Sequence, residues 1–269
     1  MSKTNNNVRL PRAKGMDMAT YYTPKECATK AKRIVLEPSN FQIIEEFISI
    51  AGMKEKFESF MVPVPNKMIL FGPPGTGKTL TAFYIADRLR LPLILVRLDT
   101  IIHSHLGETG SNVRKIFDYA KSNSCVLFLD EFDAIARTRD NNDEVKEMSR
   151  VVNTLLQCLD DFGDESIFMA ATNLEDQLDQ AVWRRFDTKM HYVMPDDDRR
   201  HAYIRLLCDD FKLENSSILS RATEIMAGCS FAEIEQIILK AKRKAIIADM
   251  PLKLNQIESS LREYNPRSG

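Results

Sequence analysis

The stretch Phe71-Gly72-Pro73-Pro74-Gly75-Thr76-Gly77-Lys78-Thr79 constrains this chain more than any other, because it fits G-x-x-x-x-G-K-[ST] without mismatch. A phosphate chain carrying several negative charges needs a concave ring of backbone N–H donors that side chains do not block. Gly72, Gly75 and Gly77 remove those side chains and allow the positive-φ turns that aim successive amides inward. Pro73, Pro74 and Thr76 complete the loop, and Leu80 follows it into the next element. Lys78 supplies a point charge for the β- and γ-phosphates, and Thr79 offers a hydroxyl to Mg²⁺. The preceding run Lys67-Met68-Ile69-Leu70-Phe71 reads as a short buried strand. The following run, residues 78–89, reads as a helix whose N-terminus points at the anion. A nucleoside triphosphate, ATP with Mg²⁺, is the expected ligand.

Composition excludes several other classes. A formal net charge of -1 with 28% charged residues describes a globular protein, not a polybasic nucleic-acid binder. The five cysteines, Cys27, Cys125, Cys158, Cys208 and Cys229, are scattered and contain no CxxC. They suit reduced thiols better than a disulfide framework or zinc site. No apolar run approaches the roughly 18 residues of a membrane span, and the start lacks a signal-peptide core. A cytoplasmic protein is expected.

Apolar runs at 68–71, 93–96, 126–129, 167–170 and 191–194 are separated by helical segments. Five strands alternating with helices predict an α/β fold, a parallel sheet with helices on both faces. A helix is expected over 39–60, from the spacing of Phe41, Ile44, Phe47, Ile48 and Ala51. After Pro195 the strands stop, and helices are expected at 199–211, 217–227 and 231–248. The predicted organisation is a flexible polar tail at 1–33, an ATPase domain at 34–195 and a helical lid at 196–269.

The third strand ends Leu127-Phe128-Leu129-Asp130-Glu131-Phe132-Asp133, which places acid at the carboxyl edge of a parallel sheet, where such sheets bind ligands. Asp130 can hold Mg²⁺ through water, and Glu131 can activate the water that attacks the γ-phosphate. Asp133 is expected to hold the loop or a neighbouring base, not metal. With these motifs and the region from Ala170-Ala171-Thr172-Asn173 to Pro195, the chain resembles an AAA ATPase, of the branch that includes FtsH, katanin and spastin. The likeness covers about residues 34 to 250 and implies an AAA+ P-loop module with a helical lid.

The resemblance implies roles for further residues. Asn173 matches the polar sensor that hydrogen-bonds the attacking water or the γ-phosphate; alone, a Thr-Asn after a strand reads as a turn. Leu178 to Asp187 resembles the segment carrying the arginine fingers, with Arg184 and Arg185 as candidates acting on a neighbouring subunit and Arg185 aligning better. The bland reading is a surface salt bridge on a helix end. Gly228 to Ile234 resembles the lid motif G-x-S-G-A-[DE]-[IL], with Phe231 where the pattern has a small residue and Ala232 beside the nucleotide. Ser230 with Glu233 also makes a complete capping box. Residues 34–37 are expected to flank adenine.

The family's first pore loop falls at Ile102 to Gly110. Its gripping triplet reads His105-Leu106-Gly107, with histidine in place of an aromatic residue. His103 and His105 alone make a poor metal pair. Residues 140–144 stand at the second pore loop, and Arg139 aligns with a basic residue after the acidic motif. The resemblance implies a homo-oligomeric ring, a hexamer, that remodels or unfolds a protein client. With only residues 1–33 ahead of the module and no HExxH, client choice is expected from the tail, the pore or an adaptor, and proteolysis from a separate protease. Two alternatives remain: a nucleotide-gated loader or scaffold on nucleic acid, using Arg114, Lys115 or the run 240–244, and a slow ATP-sensing switch within a larger assembly.

Overall fold

The computed structural model describes residues 12–13, 16–17, 19–98, 109–135, 142–174 and 178–264. Two short strands, β1 (Arg12–Ala13) and β2 (Met16–Asp17), pair with each other. The main sheet has six strands, β3 (Thr20–Tyr22), β4 (Lys67–Phe71), β5 (Leu93–Arg97), β6 (Val126–Asp130), β7 (Ile167–Thr172) and β8 (Thr188–His191), in the order β3-β5-β6-β7-β4-β8. Five run parallel, as the alternation of strands and helices predicts, and β3 closes one edge antiparallel to β5.

Side chains alternate between two cores, one on each face of the sheet. One face buries Ile69, Ile94, Leu127, Leu129 and Phe168 under Ile116 and Phe117 of α5 (Thr109–Ser122) and Val151 and Leu155 of α6 (Asn142–Asp160). The other buries Met68, Leu70, Val126, Phe128 and Met169 under α2 (Pro38–Gly52) and α4 (Lys78–Leu89). Both faces are therefore dry, which is why β6 and β7 read as continuous apolar runs. Register makes the site. Phe71 lies opposite Thr172 and Arg97 opposite Asp130, so the carboxyl ends of β4, β5, β6 and β7 share one edge. The connection leaving β4 runs one way across the sheet, to β5, and that leaving its neighbour β7 runs the other way, to β8, so these two strands flank the crevice where such sheets bind ligands.

The structure corrects three expectations. Residues 20–31, assigned to a flexible tail, form β3 and α1 (Pro24–Ala31), with Cys27 and Ala31 buried against the α4 side of the sheet. Thr23 and Glu26 cap α1 reciprocally, a capping box present in the sequence. The last strand is 188–191, not 191–194. Only Met190 of its four residues is buried, so it carries no apolar run, while Val193 and Met194 are exposed in the connection to the lid. The helix expected over 39–60 breaks at Met53 into α2 and α3 (Lys54–Ser59).

Beyond α7 (Gln180–Trp183) and β8, the chain continues as four helices, α8 (Asp197–Cys208), α9 (Ser217–Ile225), α10 (Phe231–Ile247) and α11 (Leu254–Tyr264). They enclose a separate core around Ile204, Met226, Ile234, Ile238 and Ile257, against which Val35 also packs. All five cysteines are buried and free. No helix among the described residues is long and apolar enough to cross a membrane.

Phe168 is fully buried and its ring meets those of Phe117, Phe162 and Phe186. Phe168→Ala should lose about 3–5 kcal/mol in urea unfolding. Ile247→Ala, on a side chain 86% exposed, should change stability by no more than about 0.5 kcal/mol.

Candidate functional site

β4 is a buried strand that ends at Phe71, and the glycine loop carries the chain directly into α4. Gly72, Gly75 and Gly77 have φ of 130°, 72° and 104°. At the first two, space is as limiting as conformation. A Cβ on Gly72 would lie 2.1 Å from the Tyr192 carbonyl oxygen, and one on Gly75 would lie 2.7 Å from Ser230 Oγ and 3.0 Å from Ala232 Cβ. Gly77 precedes α4, whose first turn has no side-chain cap, so its amides remain available to an anion. Thr76 Oγ1 donates to the Pro73 carbonyl at 2.8 Å and ties the loop across itself.

Lys78 is buried, and its ammonium donates to the carbonyls of Gly72 at 2.7 Å and Pro73 at 2.8 Å. Burial lowers its pKa to about 8, against the opposing pull of Asp130 and Asp133. Beside it, Thr79 Oγ1 donates to Asp130 Oδ2 at 2.9 Å, joining the start of α4 to the end of β6. A hydroxyl and a carboxylate facing one another are hard oxygen donors suited to Mg²⁺, which uses one or two such protein ligands together with phosphate oxygens. No group of three or more His, Cys, Asp or Glu side chains suited to a metal occurs among the described residues.

Glu131 follows in the left-handed region, φ 55°, and its amide donates to Asp130 Oδ1 at 2.9 Å. Its carboxylate is 3.4 Å from Arg97 Nη2, at the end of the adjacent β5. Arg97 was not among the expected site residues, although parallel alignment of the two strand ends is enough to bring it to the acidic pair. Asp133, 1% exposed, accepts from Thr172 Oγ1 and the Asn173 amide at 3.4 Å each. It therefore holds the ends of β6 and β7 together, the loop-holding role expected for it.

A cleft of about 310 Å³ runs over these groups. Lys78, Thr79, Leu80, Asp130, Glu131 and Asn173 line it on the sheet side, and Tyr203, Phe231, Ala232 and Glu235 line it on the lid side. The Ala232 amide donates to the Gly75 carbonyl at 3.1 Å, and Ser230 and Glu233 form the expected capping box at the start of α10. Tyr203 and Glu235 were not legible as cleft residues, because they stand mid-helix with no local pattern. Residues 35–37 line a separate crevice of about 10 Å³ together with Tyr192 and Phe231.

Arg184 and Arg185 do not line this cleft. Arg184 is exposed, whereas Arg185 forms a two-pronged pair with Asp160 at 2.8 and 2.9 Å and donates to the Ala181 carbonyl at 2.7 Å. His103, His105, Leu106, Gly107, Arg139 and residues 140–141 lie outside the described residues. Asp143 and Glu144 fall in the first turn of α6.

Residues 68–193 match the AAA family, the ATPase family associated with various cellular activities. An uncharacterized AAA family ATPase of Sinorhizobium fredii is 40% identical over 217 residues, 80% of this chain. The chain carries an AAA-family ATPase domain. AAA relatives also include the ATP-dependent zinc metalloprotease FtsH of Parabacteroides distasonis, 34% identical over 72% of this chain. The proteasome-activating nucleotidase of Methanopyrus kandleri is likewise 34% identical over 72% of this chain. The chain spans 64%, 30% and 46% of the lengths of these three relatives, respectively.

The AAA loop geometry generates two testable outcomes. Gly72→Ala forces both a disfavoured φ and a clash with backbone, so it should lower the melting temperature and abolish ADP binding; a variant that melts and binds like the parent would contradict the geometry. Lys78 sets a pH dependence. A polyphosphate anion raises its pKa, so binding takes up no proton from this group well below pH 8 and takes one up above it. ADP affinity should therefore fall as pH rises past 8, by up to about tenfold per unit. Calorimetry in buffers of different ionisation enthalpy should register the proton uptake.

Proposed function

We propose that this AAA module binds and hydrolyses ATP with Mg²⁺ and couples turnover to remodelling of a protein client within a ring of identical subunits. The observation that carries the reading is the Thr79–Asp130 hydrogen bond at 2.9 Å, beside the buried Lys78 and below a glycine loop that accepts no side chain at Gly72 or Gly75. Loop amides and Lys78 would hold the phosphates, and Thr79 and Asp130 would hold Mg²⁺, which supplies charge neutralisation at the phosphates. Glu131 would be the base that prepares water, and Asn173, whose backbone amide donates to Asp133, would orient it.

Arg184 and Arg185 are assigned to the neighbouring subunit's site, which accords with their position away from their own cleft. Such a role for Arg185 requires its guanidinium to leave Asp160, a pair partly exposed to solvent and worth about 0–1 kcal/mol. Protein as the client rests on likeness to relatives whose names describe a protease and a proteasome activator, and the hexameric ring on the resemblance of the motifs alone. The nucleic-acid alternative is weakened by charge pairing on α10, where Lys240 and Lys244 both meet Glu263 and Lys242 meets Asp210.

Glu131→Gln should bind ATP with near-parental affinity and turn over at least about 10²-fold more slowly. Undiminished phosphate release in that variant would remove the mechanism. Arg185→Ala separates the two readings of that residue: loss of a surface ion pair alone shifts stability by no more than about 1 kcal/mol and leaves turnover intact. Loss of a charge delivered to a neighbour's phosphates cuts turnover by about 10³-fold or more.

A further inference from the structure

The chain leaves β8 at His191, and the next residue, Tyr192, lies behind the phosphate loop with 3% of its surface exposed. It meets the loop and α4 at three points. Its amide donates to the carbonyl of Phe71, the last residue of β4, at 2.7 Å. Its own carbonyl oxygen packs on Gly72, in the space a side chain there would need. Its hydroxyl pairs with Thr81 Oγ1 of α4 at 2.5 Å. Neither Tyr192 nor Thr81 lines the cleft.

The direction of the Tyr192–Thr81 contact follows from where each proton can go. Thr81 Oγ1 also lies 3.2 Å from the Gly77 carbonyl, which can only accept. If Thr81 donated to the phenol instead, the phenolic proton would be buried without an acceptor among the described residues. Tyr192 therefore donates to Thr81, and Thr81 donates to Gly77. That relay ends on the left-handed residue, φ 104°, from which α4 starts. The base of the relay is anchored too: buried Asn40 of α2 donates to the His191 carbonyl at 3.0 Å.

We propose that Tyr192 is a positioning residue for phosphate binding: anchored to α2 and β4, it backs Gly72 and, through Thr81, holds the Gly77 carbonyl, so the loop amides are set for an anion before one arrives. Preorganisation of this kind raises affinity by lowering the cost of ordering, with no contact to the ligand. This inference rests on the proposed nucleotide-binding role of the cleft.

The test compares the full-length parent with Tyr192→Phe, Thr81→Val, Thr81→Ser and the Tyr192→Phe/Thr81→Val double variant, with ADP and inorganic tripolyphosphate as ligands. Phenylalanine keeps the ring and removes only the donor; valine removes the Thr81 hydroxyl at nearly constant volume, and serine keeps it. Tyr192→Phe and Thr81→Val should each weaken both ligands alike, by roughly three- to tenfold, while Thr81→Ser binds like the parent. KM for ATP should rise by the same factor with kcat changed by less than about twofold, as expected for a loss of uniform binding. The double variant should lose no more than the weaker-binding single variant, because one relay is broken once. A lowered melting temperature with both affinities unchanged would overturn the proposal and make the pair a core contact only. Losses that multiply in the double variant, or a loss confined to ADP, would overturn it as well. A parent chain that binds neither ligand would instead remove the nucleotide-site reading itself.

Discussion

The parallel register of β4, β6 and β7 is the constraint on which the rest of this structure depends. Pairing of Phe71 with Thr172 and of Leu129 with Ala170 brings the glycine loop, the acidic pair and Asn173 to one edge of the sheet. A slip of one residue would exchange the two faces of a strand, and both faces here are packed, so register is strongly specified by the two cores. The same cores hold the geometry of this edge, with no disulfide among the described residues. Asp133 adds a local tie between the ends of β6 and β7, at the point where the sheet's own hydrogen bonds stop.

Electrostatically, the site is built with more anionic than cationic charge near the loop and with a cation kept from water. Lys78 rests on two loop carbonyls, and burial draws its pKa down to about 8 despite two carboxylates nearby. An ammonium so placed gains far more from an arriving phosphate than a hydrated surface lysine would, because little water remains to be displaced from it. Thr79 and Asp130, meanwhile, satisfy one another by a hydrogen bond that a hard cation would replace. The polar groups of the loop thus have internal partners in this structure.

Much of the site and the fold was legible in the chain. The glycine loop, the acidic pair after β6, the alternation of strands and helices and the capping box at Ser230 each depend on neighbours within a few residues, and each is present as expected. What escaped lacks a local signature. β8 packs through Met190 alone, so no apolar run marks it. α1 has a capping box at Thr23 and Glu26 but sits in a polar stretch, and its burial of Cys27 comes from α4, more than fifty positions away. Arg97, Tyr203 and Glu235 acquire their place at the cleft only through the pairing of strand ends and the packing of the lid.

The sequence by itself determined that a phosphate-binding loop joins a buried strand to a helix, because glycine at three spaced positions and a following Lys-Thr leave the backbone few other uses. It also determined the two-sided apolar character of the central strands. Tertiary structure alone decided how the lid meets the loop, since the contact between Gly75 and Ala232 joins residues 157 positions apart. It likewise decided that Arg185 lies against Asp160 and that Phe231 faces the cleft. Such contacts depend on shape and distance after the chain has closed on itself, and no short-range pattern of side chains encodes them.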